Sequence, residues 1–463
     1  MNEEAREQLE RTGLLLTESK EELVDEILRL RRELRELKER LAQAALKEAE
    51  RKARQYERKG VKARWKKLGA PVGHPGATRP KPEQIDKTIE QHLDSCPDCG
   101  CQQLSFCPSA TEEHIQEDVI PAQVEVTKFV HHGYWCPCCQ QVKVAGHAPE
   151  EVPHGYLGPN VLVLIIRMKY HQGLSYEKIQ QFLEGFCGLK VTQSALAQAL
   201  QRLGRWLHVE ESVVLAAIRA SPYVHVDETG WKIAGRGHWL WDFVNKQLAL
   251  YRIRRSRGRS VPEEILTKDY GGNVISDFLS AYDKIGKLRQ RCLVHLKREM
   301  KRVRELDTSA ESQQAYRQLN RILNDARRLD GLRGTLKAKV FVRRLRKIEN
   351  RLFEFATGVF ATKHWQRISA RMLKYYREML TFLKVPGLPS DNNHAERMIR
   401  PNVIFRKISF QNMSDNGARA HEVLMSLLQT LRLQNVEPSS FFKRAYLSHR
   451  QGRPDPLLKL GSA

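Results

Sequence analysis

No stretch of this chain is apolar for long enough to cross a bilayer. The longest candidate, residues 161–166, stops at Arg167, far short of the roughly 20 residues that a spanning helix needs. The opening residues, MNEEAREQLE, are charged and hold no apolar signal region, which predicts a cytoplasmic protein with no membrane partner. Acidic residues are in deficit: 54 Asp+Glu stand against 78 Lys+Arg, a formal net charge of +24. That balance favours a polyanionic partner, nucleic acid first. Cysteine is also scarce, at nine residues in 463. So few in a long chain exclude a disulfide scaffold and leave metal ligation as the reading of their spacing.

Two pairs carry that spacing, Cys96-Pro97-Asp98-Cys99 and Cys136-Pro137-Cys138-Cys139. Each is a C-x-x-C knuckle, and together Cys96, Cys99, Cys136 and Cys139 supply four thiolates for a tetrahedral, structural Zn²⁺. Cys101, Cys107 and Cys138 are spare, and a register shifted through Cys101 or His132 stays open. The alternating segment 123–130 between the pairs predicts a strand.

Ahead of this module, Leu23, Leu30 and Leu37 interleave with Ile27, Leu34 and Leu41 at heptad spacing. That is the seam of a coiled coil over about three heptads, with Ser19 and Glu22 as a capping box. Self-association as a homodimer or higher homo-oligomer follows. From 51 to 81 the charges are basic apart from Glu57, and the chain turns Pro/Gly-rich near residues 70–76. This predicts a basic linker that touches phosphate without reading sequence. Residues 156–207 read as helices. Two short ones, opened by Ser175 and Ser194 and separated by Gly185 and Gly188, form a helix-turn-helix or one corner of an ordinary bundle. In the first case Gln193, Ser194, Gln198 and Gln201 face bases.

The stretch Tyr223-Val224-His225-Val226-Asp227-Glu228-Thr229-Gly230 reads as a buried strand ending in a carboxylate. Segments 237–244 and 248–253 follow as strands. A basic loop and a short helix lead to a fourth strand, 272–277, which ends at Asp277. A helix near 281–285 and a fifth strand at 291–294 complete the order β-β-β-α-β-α-β, that of the RNase H-like fold. In it the first and fourth strands are neighbours, so Asp227 and Asp277 face one cleft. A third acid, Glu396, sits in the opening turns of a helix that Asp391 or Asn392 caps. Three carboxylates so placed suit hard divalent ions, two Mg²⁺ (or Mn²⁺) at one catalytic site.

With these residues the chain resembles bacterial transposases of the insertion sequence 66 family, within the DDE group. The resemblance rests on the leucine seam, the paired knuckles, Lys169-Tyr170, Asp227-Glu228-Thr229, Asp277 and Cys292-Leu293-Val294-His295. Most specific is Asp391-Asn392-Asn393-His394-Ala395-Glu396-Arg397, continuing through Arg400-Pro401 to Arg406-Lys407. Gly230 stands where a proline is common, and Phe278 where a glycine often follows the aspartate. The resemblance implies a DDE triad of Asp227, Asp277 and Glu396, with terminal inverted repeats and target DNA as partners. It also implies DNA cleavage followed by transfer of the freed 3′-hydroxyl, and possible companion proteins of the element. His295, Arg397, Arg400 and Lys407 are expected to contact phosphate.

The expected architecture is α/β multidomain. A coiled coil (1–50), basic linker (51–95), zinc-binding module (96–150) and helical domain (151–220) precede an RNase H-like catalytic domain (221–436). A helical insertion at about 297–386 interrupts that domain, and a tail (437–463) follows. Trp365 and Phe382 are candidate core of the insertion, and Arg343, Arg344, Arg346 and Lys347 its basic face. Two other classes fit parts of the pattern: a non-catalytic zinc-containing DNA-binding regulator, and a structure-selective RNase H-like nuclease.

Overall fold

The computed structural model describes residues 84–105, 108, 115–116, 122–152, 155–450 and 458, together with Arg29 and Glu33. The leucine seam and residues 51–83 of the expected basic linker lie outside the described residues. Arg29 and Glu33 themselves are helical, their charges 3.8 Å apart. The chain divides into two compact units, Met1–His114 and Ile115–Ala463, each taken by itself below. The described residues form a mixed α/β structure of thirteen α-helices and seven strands.

In the larger unit a small antiparallel hairpin comes first, β1 (Gly133–Cys136) and β2 (Gln141–Val144). Segment 123–130, expected as a strand, takes no regular structure, and its apolar residues stay exposed. Alternation alone does not form a strand without an edge to pair with. Four helices follow: α1 (Pro159–Ile166), α2 (Tyr176–Cys187), α3 (Gln193–Trp206) and α4 (His208–Ala220). Ser175 caps α2 as expected, while Thr192, rather than Ser194, caps α3 by accepting from the Ala195 N–H. Gly188, at φ 68°, closes α2 in the left-handed conformation that glycine adopts without steric cost.

The central sheet contains β3 (Tyr223–Ile233), β4 (Arg236–Val244), β5 (Ala249–Arg254), β6 (Asn273–Ser276) and β7 (Arg289–Arg291). Its order is β5-β4-β3-β6-β7. The first three are antiparallel, and β6 and β7 run parallel to β3. Strand β3 does not stop at the acid pair: it continues to Ile233, held by β4 through Gly230 and Trp231. Only its parallel pairing with β6 ends early, at His225 opposite Ile275. Asp227 and Asp277 each lie two residues beyond that last pair, so the register sets them side by side. Between β5 and β6 lies α5 (Ser260–Leu266), and the helix expected near 281–285 is a single 3₁₀ turn, Ser280–Tyr282. The fifth strand is Arg289–Arg291, and Cys292-Leu293-Val294 instead opens α6 (Leu293–Leu306).

Helices α7 (Ala310–Gly331), α8 (Ala338–Thr357), α9 (Lys363–Lys374) and α10 (Thr381–Lys384) then share a second hydrophobic core with α6. Trp365 and Phe382 are buried within it. Arg343, Arg344, Arg346 and Lys347 line the exposed side of α8. The main core joins the sheet to α1–α4 and to three later helices, α11 (Asn393–Ser409), α12 (Asp415–Leu433) and α13 (Pro438–Arg450).

Helix α12 covers the open edge of β5. Thr430 Oγ1, Ser426 Oγ and Glu422 Oε1 accept from the backbone N–H groups of Ala249, Tyr251 and Ile253, at 3.0, 2.9 and 2.6 Å. Helical residues four apart advance nearly as far as strand residues two apart. Three side chains therefore satisfy three successive edge donors that would otherwise template aggregation. Gly204 lets α3 approach α12, since a Cβ there would meet Ala420 Cα at 2.7 Å.

Candidate active site

Strand alternation turns His225 and Asp227 to one face of β3 and Glu228 to the other. Asp242 stands opposite Asp227 in β4 and is fully buried. Its Oδ1 accepts the Asp227 N–H at 2.8 Å, and its Oδ2 is buried without a partner. Burial, then the charge of Asp227, pushes the Asp242 carboxyl well above the usual range. Asp227 is half-buried, and desolvation pushes its own carboxyl up to about 8. Glu228, Asp277 and Glu396 reinforce that shift by repulsion. The charges of Asp277 and Glu396 thus both reach Asp227. A nearby cation would favour ionisation of Asp227 among these acids, and carboxylate oxygens suit a hard divalent one.

The partners of each acid differ. Asp277 Oδ1 accepts from the Leu279 N–H at 2.8 Å, which folds the loop back after β6. Arg291, wholly buried, braces that loop by donating to the Asp277 carbonyl at 2.9 Å and to Glu378 at 2.7 Å, with Tyr375 beneath its guanidinium. Glu396 lies in the first turn of α11, and both of its oxygens accept from Arg298 of α6, at 2.9 Å each. His295 Nδ1 is 3.5 Å from Glu396 Oε1. Glu228 is not free to join the acids. Its carboxylate is held by Arg257 at 2.7 Å and by the Tyr282 hydroxyl.

Asn392 was expected only as a possible cap. Its side chain does not cap α11. Buried, it donates to the Val226 carbonyl at 2.9 Å, so its Oδ1 is the acceptor for His225 Nδ1–H at 3.1 Å. Burial drives the His225 imidazole down to about 3, so it donates as a neutral ring. The Asn392 N–H also donates to Cys292 Sγ at 3.1 Å. One amide thereby ties the start of α11 to β3 next to Asp227 and fixes where Glu396 emerges. His394 anchors the same turn through the Asn245 carbonyl at 2.6 Å.

Arg397, Arg400 and Lys407 are exposed and recur at helical spacing along α11, starting one residue after Glu396. His295 lies on α6, near Glu396. Lys169, by contrast, is buried. It donates to the Leu174 carbonyl and Ser409 Oγ and sits over Tyr176 and Phe405, and desolvation brings it down to about 8.

Each cysteine knuckle has its own turn. The Asp98 and Cys99 amides point at Cys96 and lower its thiol, and Gly100 closes the turn at φ 73°. At the tip of the β1–β2 hairpin, the Cys139 and Cys138 amides lower Cys136 likewise. Amides aimed at sulfur stabilise a thiolate, the form that binds zinc.

Comparison with known proteins agrees with these features. Residues 154–420 match the family model described as Transposase IS66 family. Residues 94–140 match that of the zinc-finger binding domain of transposase IS66. The first match covers more than half of the chain, and the chain belongs to that family. Similar proteins come from Sinorhizobium fredii (strain NBRC 101917 / NGR234). Uncharacterized protein y4qI is 25% identical over 412 residues, spanning 80% of this chain and 74% of its own. Uncharacterized protein y4hP is 22% identical over 404 residues, 78% and 72% of the two chains. No helix among the described residues is long and apolar enough to cross a membrane.

Proposed function

We propose that this family member is a DDE transposase, which cuts insertion-sequence ends and joins their 3′-hydroxyls to target DNA on an RNase H-like core. The observation that carries the reading is the β3–β6 register, which sets Asp227 and Asp277 at one level, with the Glu396 charge also felt at Asp227. Supporting it, three antiparallel strands are followed by two parallel ones, with both aspartates at the same level beyond the β3–β6 pairing. Asp227, Asp277 and Glu396 would hold two Mg²⁺ (or Mn²⁺). When bound, such ions activate a water or a 3′-hydroxyl and stabilise the leaving oxygen.

The chain's own groups do the rest. Asn392 and Asp242 fix the positions from which Glu396 and Asp227 reach the cleft. Arg298 balances the Glu396 charge. Arg397, Arg400 and Lys407 of α11, with His295 of α6, contact flanking phosphates without reading sequence. In the first reaction water cleaves a phosphodiester, leaving a 3′-hydroxyl and a 5′-phosphate. In the second that hydroxyl displaces a target 3′-oxygen in a transesterification that consumes no ATP. The thiolates of Cys96 and Cys99, and those of Cys136 and Cys139, would serve as ligands for structural Zn²⁺. The reading is supported by the zinc-finger match across both pairs and by the local turn at each.

The test uses DNA carrying the element's terminal repeats. Asp227→Asn, Asp277→Asn and Glu396→Gln should each abolish Mg²⁺-dependent cutting while DNA binding persists. Full cutting by any one of them removes that residue from the triad. A strand-transfer assay distinguishes a transposase from a nuclease on the same core.

A further inference from the structure

A cluster on the path from the knuckle hairpin to α1 is used by neither the thiolates nor the acids. His131 Nε2 lies 3.0 Å from Glu151 Oε1, and His147 Nδ1 lies 2.9 Å from the same oxygen. One ligand atom from each of the three residues falls within 4.8 Å of the others. The two imidazoles meet edge to face, centroids 4.9 Å apart. The hairpin accounts for the encounter. The Ala145 N–H donates to the His132 carbonyl at 3.0 Å, so the chain leaving β2 returns beside the residue that precedes β1.

The groups behind the cluster orient it. His131 Nδ1 faces the carbonyl oxygens of Ala145 and Gly146, each at 3.2 Å. Carbonyls only accept, so Nδ1 carries a proton and Nε2 is the atom turned toward Glu151. An imidazole steered this way by a backbone carbonyl is the usual support of a metal-bound histidine. Glu151 is steered too: the Ala148 N–H donates to Oε2 at 3.0 Å, leaving Oε1 for both rings. The carboxylate side chain is 9% exposed, and the imidazoles of His131 and His147 are 25% and 48% exposed. The cluster is therefore built on the inside and open on one side.

We propose that His131, His147 and Glu151 form a second metal site, separate from the cysteine knuckles, which takes a first-row transition dication, Zn²⁺ by ligand type. Two imidazoles and a carboxylate match zinc's ligand preferences and leave a fourth position for water or for an incoming group. Hard Mg²⁺ is disfavoured by the two nitrogens, so the site does not compete for the ions of the acid triad. Its structural effect is to pin the segment after β2 to the residue that opens the hairpin, in place of the proton that His131 otherwise shares with Glu151.

The test counts metal in the full-length protein after dialysis against excess Mg²⁺, which occupies the acid triad. Zinc is measured by atomic emission in the parent, His131→Ala, Glu151→Gln and Cys136→Ser/Cys139→Ser. Glu151→Gln keeps an acceptor for the Ala148 N–H, so it separates lost ligation from lost folding. The two cluster variants should each hold one equivalent less than the parent. When cobalt replaces zinc, they should keep the thiolate-to-cobalt charge-transfer absorption. The cysteine variant should lose that absorption and keep the cluster's equivalent. Zinc content equal to the parent's in either cluster variant overturns the proposal. Loss of the thiolate absorption together with the zinc in Glu151→Gln overturns it equally, since the site would not then be separate.

Discussion

Protons and divalent ions should compete at Asp227, and the competition can be sized. Burial first, then repulsion from Glu228, Asp277 and Glu396, lifts its carboxyl from 3.8 to about 8. The folded-state value lies above the unfolded one, so the bound proton favours the folded form. Without metal, that contribution is full below about pH 4 and is lost as pH rises through 8. A bound dication replaces the proton. At pH 7 a group titrating near 8 is about nine-tenths protonated, so Mg²⁺ binding should release close to one proton per site. Between pH 8 and pH 6 the same equilibrium weakens apparent Mg²⁺ affinity by about fifty-fold. Calorimetric titration in two buffers of different ionisation heat measures the proton count, and repeating it across pH gives the affinity slope. Affinity unchanged between pH 6 and pH 8, with no proton released, would refute the reasoning.

Three further outcomes follow from single contacts. Arg298→Gln removes the cation that occupies both oxygens of Glu396. Because the pair is solvent-screened, the Mg²⁺ concentration for half-maximal cutting should fall only about two- to five-fold. Arg291→Ala strips Glu378, Asp283 and the Asp277 loop of a buried guanidinium. It should cost about 3 kcal/mol in urea denaturation, whereas a change within measurement error would show that the loop stands without it. Gly204→Ala places a methyl against Ala420. It should lower stability by about 1–3 kcal/mol by prising α3 from α12, and an unchanged unfolding midpoint would contradict that contact.

The sheet was readable because its strands alternate or are wholly apolar, and the acids could be placed once its order was inferred. Errors fell where local signals mislead. Gly230 reads as a breaker, yet Trp231 and Ile233 resume the buried pattern and β4 holds the strand together. Cys292-Leu293-Val294 looks like a strand, but Leu293, Leu296, Met300 and Val303 recur at helical spacing and are buried. That signal was present in the sequence and outweighed by the apolar triplet. Other features had no local signal. Asn392 finds Val226 and His225 more than 160 positions away, and Glu396 finds Arg298 98 positions away. The spacing of His147 and Glu151 fits one helical turn, but His131 joins them only because the hairpin folds back. The polar side chains of α12 that seal the β5 edge are equally silent, since a buried Ser426 or Thr430 declares nothing about its partner.

Asp227, Asp277 and Glu396 are proposed to share divalent ions. Anomalous scattering from a crystal of the full chain grown with Mn²⁺ addresses it without reference to DNA. Manganese peaks bounded by oxygens of all three residues are expected, with Glu396 released from Arg298. Manganese bound elsewhere, with Glu396 still paired to Arg298 and Asp227 unligated, would contradict the proposal.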